Sequence, residues 1–462
     1  MIGIVDGNNL AFRYVFSLSD PGRAAGYAAK VLVEQCKYHN LDGIIVVWDG
    51  GSGKRKQLFE EYKENRSLEP EQANLYQTLL KDLQTFFQVC GFVQCRVEGD
   101  EADDVIATFT RSIFLEDKVV IFSNDRDFFS LLSDRVSIWN WKEYRTLGWF
   151  QAEYGVEPSE WVKIKSLAGD ASDNIKGVQG IGVKRALKVI QDGKYGEYEN
   201  REDVILFRKI LDFMLVDEDK IIESLDFGRL DKFRFGAVME YCGLGMDLWE
   251  EVLAIARKTR IRAWKLDKLE RDMKNCRTCP LFESAKHTVV FRGVISDILV
   301  VGEAPGYDED LQGYPFVGKA GRELERWLGM VNLSNKVLIS NVVWHRPTKN
   351  GNNRAPTPKE IETCSKKGIL PLIDRLAPRL IIALGNTAAN FITGNKINIT
   401  KDSGLVRVER FGYPIDVFIM PHPSSVGYNS KMMSIVEEQL NNLEGYLRTK
   451  GMLPTTTKAV GL

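Results

Sequence analysis

The 462-residue sequence lacks the features that would assign it to a specialised class of protein. Its formal net charge of −1 shows no global basic excess, although local acidic and basic stretches keep nucleic-acid binding open. No apolar run reaches membrane-spanning length, and MIGIVDGNN passes directly into a polar turn, so neither a membrane segment nor a secretory signal is expected. The seven cysteines are scattered apart from one Cys-x-x-Cys, which favours a reducing cytosol over a disulfide framework.

What remains is the composition of an ordinary soluble globular protein, with 27% charged and 44% hydrophobic residues. The length predicts two or three domains.

A stretch from Val97 to Leu132 concentrates negative charge beside an apolar run. Five carboxylates lie within residues 98–104, and the run VVIF leads into Asp125 and Asp127. Like charges at this density are costly unless a cation lies among them. Sites in α/β sheets lie at the carboxyl ends of strands, and oxygen ligands suit hard ions, so the pattern predicts binding of Mg²⁺ or Mn²⁺.

Two further strands end in aspartate, MIGIVD at Asp6 and GIIVVWD at Asp49. A single aspartate after a strand usually begins a turn, but together these residues predict one carboxylate cup at the edge of a parallel sheet. The basic segment that follows Asp49 would suit a phosphate backbone, with Tyr62 as a stacking ring; a solvated helix face is the alternative.

Downstream, the segment GDASDNIKGVQGIGVKRA joins two acids to a glycine-rich turn. Its glycines, Gly177, Gly180 and Gly182, allow backbone amides to approach a phosphate, and Lys184 and Arg185 follow on a helix.

Taken in order, VDGNN, VVWDG, EEYKENR, DEADD, SNDRD and GDASDNIKGVQGIGVKRA resemble the motifs of the 5′-nuclease family, which includes phage 5′-exonucleases and flap endonucleases. The resemblance implies a flap-endonuclease-like mixed α/β fold (of the PIN class) with a helical arch, a helix–three-turn–helix element that holds K⁺ in relatives, and two-metal phosphodiester hydrolysis. It implies a first group of metal ligands and neighbours: Asp6, Asp49, Glu101, Asp103 and Asp104. It implies a second group: Asp125, Asp127, Asp170 and Asp173. It implies arch residues that steer the scissile phosphate: Arg55, Lys63 and Arg66.

The expected domain limits are residues 1–256 for the nuclease, 257–274 for a basic helical connector, 275–449 for a second domain and 450–462 for a disordered tail. The connector either contacts DNA or is a plain solvated helix.

The second half alternates strands, loops and helices, which predicts another α/β domain with functional loops after its strands. Its segments GEAPG, PFVG, SNVVWHRP and MPHPSS, after NCRTC, resemble the uracil-DNA glycosylase superfamily and most of all its iron–sulfur-containing family 4. The resemblance implies an α/β/α sandwich and excision of a flipped uracil. Phe316 would stack on the base, Asn341 would bond its edge and Glu309 would exclude thymine. Glu303, Ala304 and Gly306 would form the first catalytic loop, with Ala304 in place of an aspartate base, and His422 would stabilise the departing uracil.

The family holds a [4Fe–4S] cluster with four cysteines, but this sequence has His345 where the third is expected. The ligand set implied is Cys276, Cys279, His345 and Cys364. A [4Fe–4S] cluster is favoured, zinc is second and no metal is third.

The sequence therefore predicts a cytoplasmic or nucleoid-associated DNA-processing enzyme that acts on flap, nicked or uracil-containing DNA, with any polymerase as a separate partner and no membrane. The competing hypothesis makes the second half a silent module that positions the nuclease on DNA or a partner.

Overall fold

The computed structural model describes residues 1–15, 20–65, 68–263, 269–428 and 430–452. The chain forms two compact units, Met1–Ala263 and Trp264–Leu462. This division lies inside the predicted connector, because residues up to Ala263 continue the last helix of the first unit. Within that helix the hydroxyl of Thr259 accepts the N–H of Ile44, and buried Arg260 donates to the carbonyl of Phe227.

The first unit is built on a seven-stranded mixed sheet in the order β6-β5-β4-β1-β2-β3-β7. Strands β1 to β5 run parallel, and the short strands β6 and β7 close the edges in the antiparallel sense. The strands are β1 Ile2–Asp6, β2 Gly43–Trp48, β3 Val93–Arg96, β4 Val119–Phe122, β5 Val136–Trp139, β6 Tyr144–Arg145 and β7 Leu225–Asp226.

The three apolar runs predicted as strands, β1, β2 and β4, lie side by side at the centre of this sheet and are buried at every position. Burial along a whole strand requires cover on both faces, which explains why these runs are apolar throughout rather than alternating. Their carboxyl ends meet at one edge.

The helices of the first unit begin with α1 immediately after β1 and end with the helix that contains Arg260. They are α1 Gly7–Tyr14, α2 Pro21–Tyr38, α3 Gly53–Leu58, α4 Pro70–Val89, α5 Ala102–Thr108, α6 Leu147–Tyr154, α7 Trp161–Ala168, α8 Val183–Gln191, α9 Glu202–Leu211, α10 Glu218–Glu223, α11 Lys232–Tyr241 and α12 Trp249–Ala263.

The second unit has a six-stranded mixed sheet in the order β14-β15-β13-β9-β10-β8. Its four inner strands are parallel, and β8 and β14 are antiparallel edges. The strands are β8 Phe291–Gly293, β9 Ile298–Gly302, β10 Leu338–Asn341, β13 Leu380–Leu384, β14 Gly404–Val408 and β15 Ile415–Met420, with a separate hairpin of β11 Thr348–Lys349 and β12 Asn352–Asn353.

Helices and strands alternate in this unit, as the sequence predicts, and an apolar core of Ile298, Trp327, Phe418 and their neighbours packs on the sheet. The helices are α13 Leu269–Lys274, α14 Tyr307–Gln312, α15 Lys319–Met330, α16 Pro358–Lys367, α17 Ile369–Leu376, α18 Gly385–Thr393, α19 Ile399–Asp402 and α20 Ser430–Thr449. Among the described residues, no helix has both the length and the apolar character needed to cross a membrane.

Candidate active sites

The carboxyl edge of the first sheet gathers the predicted acids. Asp6 ends β1, where one carboxylate oxygen accepts the N–H of Asn9 at 2.9 Å and the other accepts the hydroxyl of Ser123 at 3.0 Å. Ser123 follows β4, so this bond joins the ends of two neighbouring strands. Asp49 follows β2 on the other side, and its charge helps to raise the pKa of Asp6.

Three of these carboxyl groups have raised pKa values. Burial, with charge from Asp49, raises the pKa of Asp6 to about 6. Burial and the charge of Asp127 raise the pKa of Asp125 to about 7. Burial raises the pKa of Asp103 well above its ordinary value, and the charges of Asp125 and Asp6 add to it. Burial is the largest cause of each shift, and the added repulsion of Asp103 by Asp125 and Asp6 means that these acids lie close together.

Arg55 has a different place from the one predicted for it. Its guanidinium is buried and donates to Glu101 at 2.8 Å and to both oxygens of Asp104. The remaining donors reach the carbonyls of Ile210 and Asp212. With every donor engaged inside the fold, Arg55 is a buried counter-ion rather than a phosphate contact. Asp104 is its partner, and a place for Asp104 among the metal ligands or their neighbours stays a prediction.

The neighbouring segment also differs from the prediction in part. Tyr62 is buried, with its hydroxyl 3.1 Å from Glu101, so its ring is not placed for base stacking. Lys63 lies at the rim, where its ammonium is 2.7 Å from Glu101 and its backbone has a φ of +56°. Left-handed backbone is unfavourable for lysine, and such strain is enriched at functional sites. Arg66 lies outside the described residues.

A second acidic group forms beside the first. Potential ligand atoms of Asp127, Asp170 and Asp173 all lie within 4.8 Å of one another, and among the described residues this is the group that meets that limit. The ammonium of Lys165 pairs with both Asp127 and Asp170. Burial would raise the pKa of Asp170, but Lys165 and hydrogen bonds from Ser172 lower it to about 2.

The predicted glycine turn connects α7 to α8. Gly177 has a φ of +66°, and a Cβ there would meet backbone 2.3 Å away, so this position requires glycine. Gly180 and Gly182 have nothing within 4 Å of such an added Cβ and are exposed, as are Lys184 and Arg185. The turn therefore presents open backbone and positive charge at the surface.

In the second unit, a cavity of about 740 Å³ opens at the carboxyl end of the sheet. Its walls include the loops that follow β9, β10, β13 and β15. Every residue predicted for the catalytic loop and the uracil site lines this cavity: Glu303, Ala304, Gly306, Glu309, Phe316, Asn341 and His422.

Phe316 and Asn341 approach each other across Gly302, the last residue of β9. A Cβ at Gly302 would lie 2.5 Å from the amide oxygen of Asn341 and 2.5 Å from the ring of Phe316. Phe316 has a φ of +55°, and its ring centroid is 5.8 Å from that of His422. A planar ring, an amide and an imidazole thus share one wall.

His422 is held as a neutral ring. Burial lowers its pKa to about 4, against the opposing charge of Glu309. The backbone N–H of Ser424 donates to Nδ1 at 3.3 Å, and the Ser424 hydroxyl lies 2.8 Å from the same atom. A neutral ring that accepts at Nδ1 carries its proton on Nε2, so it has one N–H left to donate.

Glu309 connects two loops of the cavity. One carboxylate oxygen accepts the N–H of Gly306 at 3.1 Å, and the other accepts the N–H groups of Val317 and Gly318 at 3.0 and 2.8 Å. These bonds fix the spacing between the GEAPG loop and the PFVG loop. Exclusion of thymine by Glu309 stays a prediction.

The predicted cluster ligands also come together, with Cys276 at the outside. The thiol of Cys279 lies 3.7 Å from Nδ1 of His345, whose Nε2 is 3.0 Å from the hydroxyl of Thr288. A hydrogen bond from Cys364 lowers the pKa of Cys279 to about 4, against burial and with help from His345. Cys276 is half-buried. Among the described residues, no three of these ligands fall within 4.8 Å of one another.

Comparison with known proteins separates the two units. Residues 1–156 match the family model "5'-3' exonuclease, N-terminal resolvase-like domain", and residues 293–444 match the model of the uracil DNA glycosylase superfamily. A type-4 uracil-DNA glycosylase of Archaeoglobus fulgidus is 36% identical over 185 residues, which are 38% of this chain and 91% of that protein. The chain belongs to the type-4 uracil-DNA glycosylase family.

The 5′-nuclease relatives are matched over a smaller share of their length. A thermostable DNA polymerase I of Thermus thermophilus is 36% identical over 207 residues, 43% of this chain, and the chain spans 24% of that protein. A 5'-3' exonuclease of Buchnera aphidicola is 35% identical over 171 residues, 36% of this chain and 57% of that protein. The chain thus joins a 5′-nuclease-like domain with a mixed α/β fold to a type-4 glycosylase domain.

Some residues of the type-4 glycosylase unit and its nuclease neighbour were missed by sequence reasoning. Lys165 pairs with the second acidic group, and the hydroxyl of Thr387 donates to Glu303 in the glycosylase cavity. Gly302 leaves room for the ring of Phe316 to approach the side chain of Asn341. Lys165 and Thr387 lie outside the motifs quoted above, whereas Gly302 is the first residue of GEAPG but carries no side chain that would suggest a role.

Proposed function

We propose that the first unit is a divalent-metal-dependent nuclease that removes nucleotides or flaps from the 5′ ends of DNA. The convergence of Asp6, Asp103 and Asp125 on one sheet edge carries this proposal, because buried carboxylates with raised pKa values are ready to bind cations. The relatives' names, polymerase I and 5'-3' exonuclease, support the choice of DNA as substrate.

The chain's own residues would bind and orient the DNA. Asp6, Asp103 and Asp125 would hold one ion, and Asp127, Asp170 and Asp173 a second. Bound Mg²⁺ or Mn²⁺ would activate water and neutralise charge on the leaving oxygen. Lys63 at the rim would contact the phosphate, and the exposed glycine turn with Lys184 would hold the duplex backbone. The same turn would also bind a K⁺ ion.

The test is cleavage of a 5′-flap substrate by the full chain in Mg²⁺ and in EDTA. We expect cleavage in Mg²⁺ only, and its loss in Asp6→Asn. Asp134→Asn is the matched control, since Asp134 is an exposed aspartate of the same unit. Cleavage that persists in Asp6→Asn would refute the proposed site.

We propose that the second unit excises uracil from DNA. The cavity that brings Phe316, Asn341 and His422 together carries this proposal, because its 740 Å³ readily admits an extruded pyrimidine nucleotide. The family membership supports the same activity.

In this cavity the uracil ring would stack on Phe316 and its polar edge would bond Asn341. The bond between the sugar C1′ and the base N1 breaks with its electron pair leaving on uracil. Water then adds to C1′ and loses one proton, which balances the charge of the uracil anion. The Nε2–H of His422 would donate to the uracil anion as charge develops, which a neutral ring does without prior protonation. Ala304 offers no carboxylate, so no general base is assigned there.

The test is incubation of the full chain with single- and double-stranded uracil-containing DNA in EDTA, with abasic sites as the readout. We expect abasic sites, and a decrease of about a hundredfold or more in His422→Ala. His287→Ala is the control, since His287 is exposed and bonds the Asp310 carbonyl outside the cavity. Absence of abasic product would contradict excision and favour the silent-module alternative.

We propose a structural [4Fe–4S] cluster on Cys276, Cys279, His345 and Cys364. The four residues supply thiols and an imidazole, which can ligate an iron–sulfur cluster, and the resemblance to the iron–sulfur-containing family 4 favours the cluster. The 3.7 Å between the thiol of Cys279 and Nδ1 of His345 also fits a single zinc ion, so zinc is the alternative. Iron and sulfide analysis with visible absorption of the purified chain is the test; stoichiometric zinc without iron would overturn it.

A further inference from the structure

Lys165 lies in an unusual place for a lysine. It belongs to α7, its side chain is 11% exposed, and its ammonium pairs with Asp127 and Asp170. Those two acids and Asp173 form the trio whose potential ligand atoms lie within 4.8 Å of one another. A positive charge of the chain thus lies within the group of oxygens proposed to hold the second metal ion.

The dimensions of this group leave room for one cation. Two oxygens bound to the same Mg²⁺ lie at most about 4.2 Å apart, twice the usual Mg–O distance. The trio's ligand atoms lie within 4.8 Å of one another, which is close to that limit. An ammonium that pairs with two of the three acids and a metal ion bound by all three would therefore need the same position.

We infer that Lys165 occupies the second cation position when no divalent ion is bound and must withdraw before an ion can enter. Lys165 is then a positioning residue that weakens binding of the second ion relative to the first. The inference rests on the proposed nuclease function, because it assumes that the trio binds a metal ion.

Lysine is suited to this role because its charge sits on a flexible four-carbon stem, so the ammonium can leave without movement of the helix. While it is present, it balances carboxylates that would otherwise be uncompensated in a largely buried site. The same charge opposes an incoming divalent ion through Coulomb repulsion.

The experiment is a calorimetric titration of the full chain with Mn²⁺ in the absence of DNA. We expect two classes of site in the wild-type chain, the weaker one lost in Asp170→Asn. Lys165→Met should tighten the weaker class by about tenfold or more and leave the stronger class unchanged, since a nearby like charge has been removed. Lys165→Arg, which keeps the charge, should not tighten it.

Lys163→Met is the matched control. Lys163 lies on the same helix, and its ammonium pairs with Glu160 at 2.9 Å, away from the trio. Its removal should change neither class of site. Thermal melting of each variant in EDTA checks folding, and Lys165→Gln, which keeps a polar side chain of similar length, replaces the methionine variant if that one fails to fold.

The outcomes separate the inference from the function on which it rests. If no Mn²⁺ binding in the wild-type chain depends on Asp170, the proposed metal site itself is refuted. If two classes bind but Lys165→Met and Lys165→Gln leave the weaker class unchanged or weaken it, the metal site stands and the role of Lys165 is overturned.

Discussion

The two candidate sites differ in how their charged side chains are balanced. The first unit brings carboxylates together until burial and repulsion raise the pKa of Asp125 to about 7. It offsets part of that charge with cations of its own, Arg55, Lys63 and Lys165. In the second unit, the cavity is shaped by backbone donors to Glu309 and by a neutral His422.

This difference predicts which site depends on added ions. A group of buried carboxylates completes its charge balance only when divalent cations bind, whereas a cavity whose carboxylate already accepts fixed backbone donors needs none. The two chemistries should therefore separate cleanly in one chain, by chelation and by substitution.

The largest expected effect is that of Asp125→Ala. This substitution removes an oxygen ligand from the shared centre, and we expect 5′-flap cleavage to fall by about a thousandfold, which corresponds to roughly 4 kcal/mol of transition-state stabilisation. Uracil excision, measured in EDTA, should stay within about twofold of wild type. The comparison would break if both activities fell together, which would mean that the two sites are coupled.

A smaller but still large effect is expected on stability for Arg55→Met. Arg55 is 4% exposed and is the partner of Asp104 and Glu101, so its loss leaves buried carboxylates uncompensated. Breaking a buried pair from one side costs about 3 kcal/mol or more. The measurement is the denaturant midpoint of the first unit's transition in the full chain.

Arg111→Met is the control for that measurement. Arg111 is 3.7 Å from Asp212 and half-exposed, and such surface pairs contribute at most about 1 kcal/mol. If the two substitutions destabilised the chain equally, the charge network of the first unit would not be the buried counter-ion system described above.

Gly302→Ala tests the shape of the second site. The added Cβ would meet Asn341 and Phe316 at 2.5 Å, so one of the two must move. We expect uracil excision to decrease by about tenfold, because small displacements of positioned groups are costly to catalysis. Gly445→Ala is the control, since an added Cβ there meets nothing within 4 Å. An unchanged rate of uracil excision in Gly302→Ala would show that Asn341 or Phe316 can move without loss of function.

The sequence predicts the fold class and most of the site residues because both depend on local patterns. Asp6, Asp49 and Asp125 follow apolar runs, and strand ends in a parallel sheet meet at one edge. The roles of Arg55 and Lys165 could not be predicted in this way. A basic residue looks the same in a sequence whether it faces solvent or a buried carboxylate, and the acids that decide this lie 46 to 49 residues away from Arg55.

The smallest expected effect concerns pH, and it contrasts the two sites most directly. With the pKa of His422 lowered to about 4, its ring stays neutral down to that pH, so uracil excision in EDTA should change less than about twofold between pH 7.5 and 5.5. In a histidine of ordinary pKa, the neutral fraction would fall about tenfold over that range.

Asp125 and Asp6, with pKa values of about 7 and 6, gain protons over the same interval, and a divalent ion must displace those protons to bind. The Mg²⁺ concentration needed for half-maximal flap cleavage should therefore rise as the pH falls, while excision stays level. A pH profile of uracil excision with a midpoint near pH 6.5 would show that His422 titrates as an exposed histidine does, and would contradict its burial in the cavity.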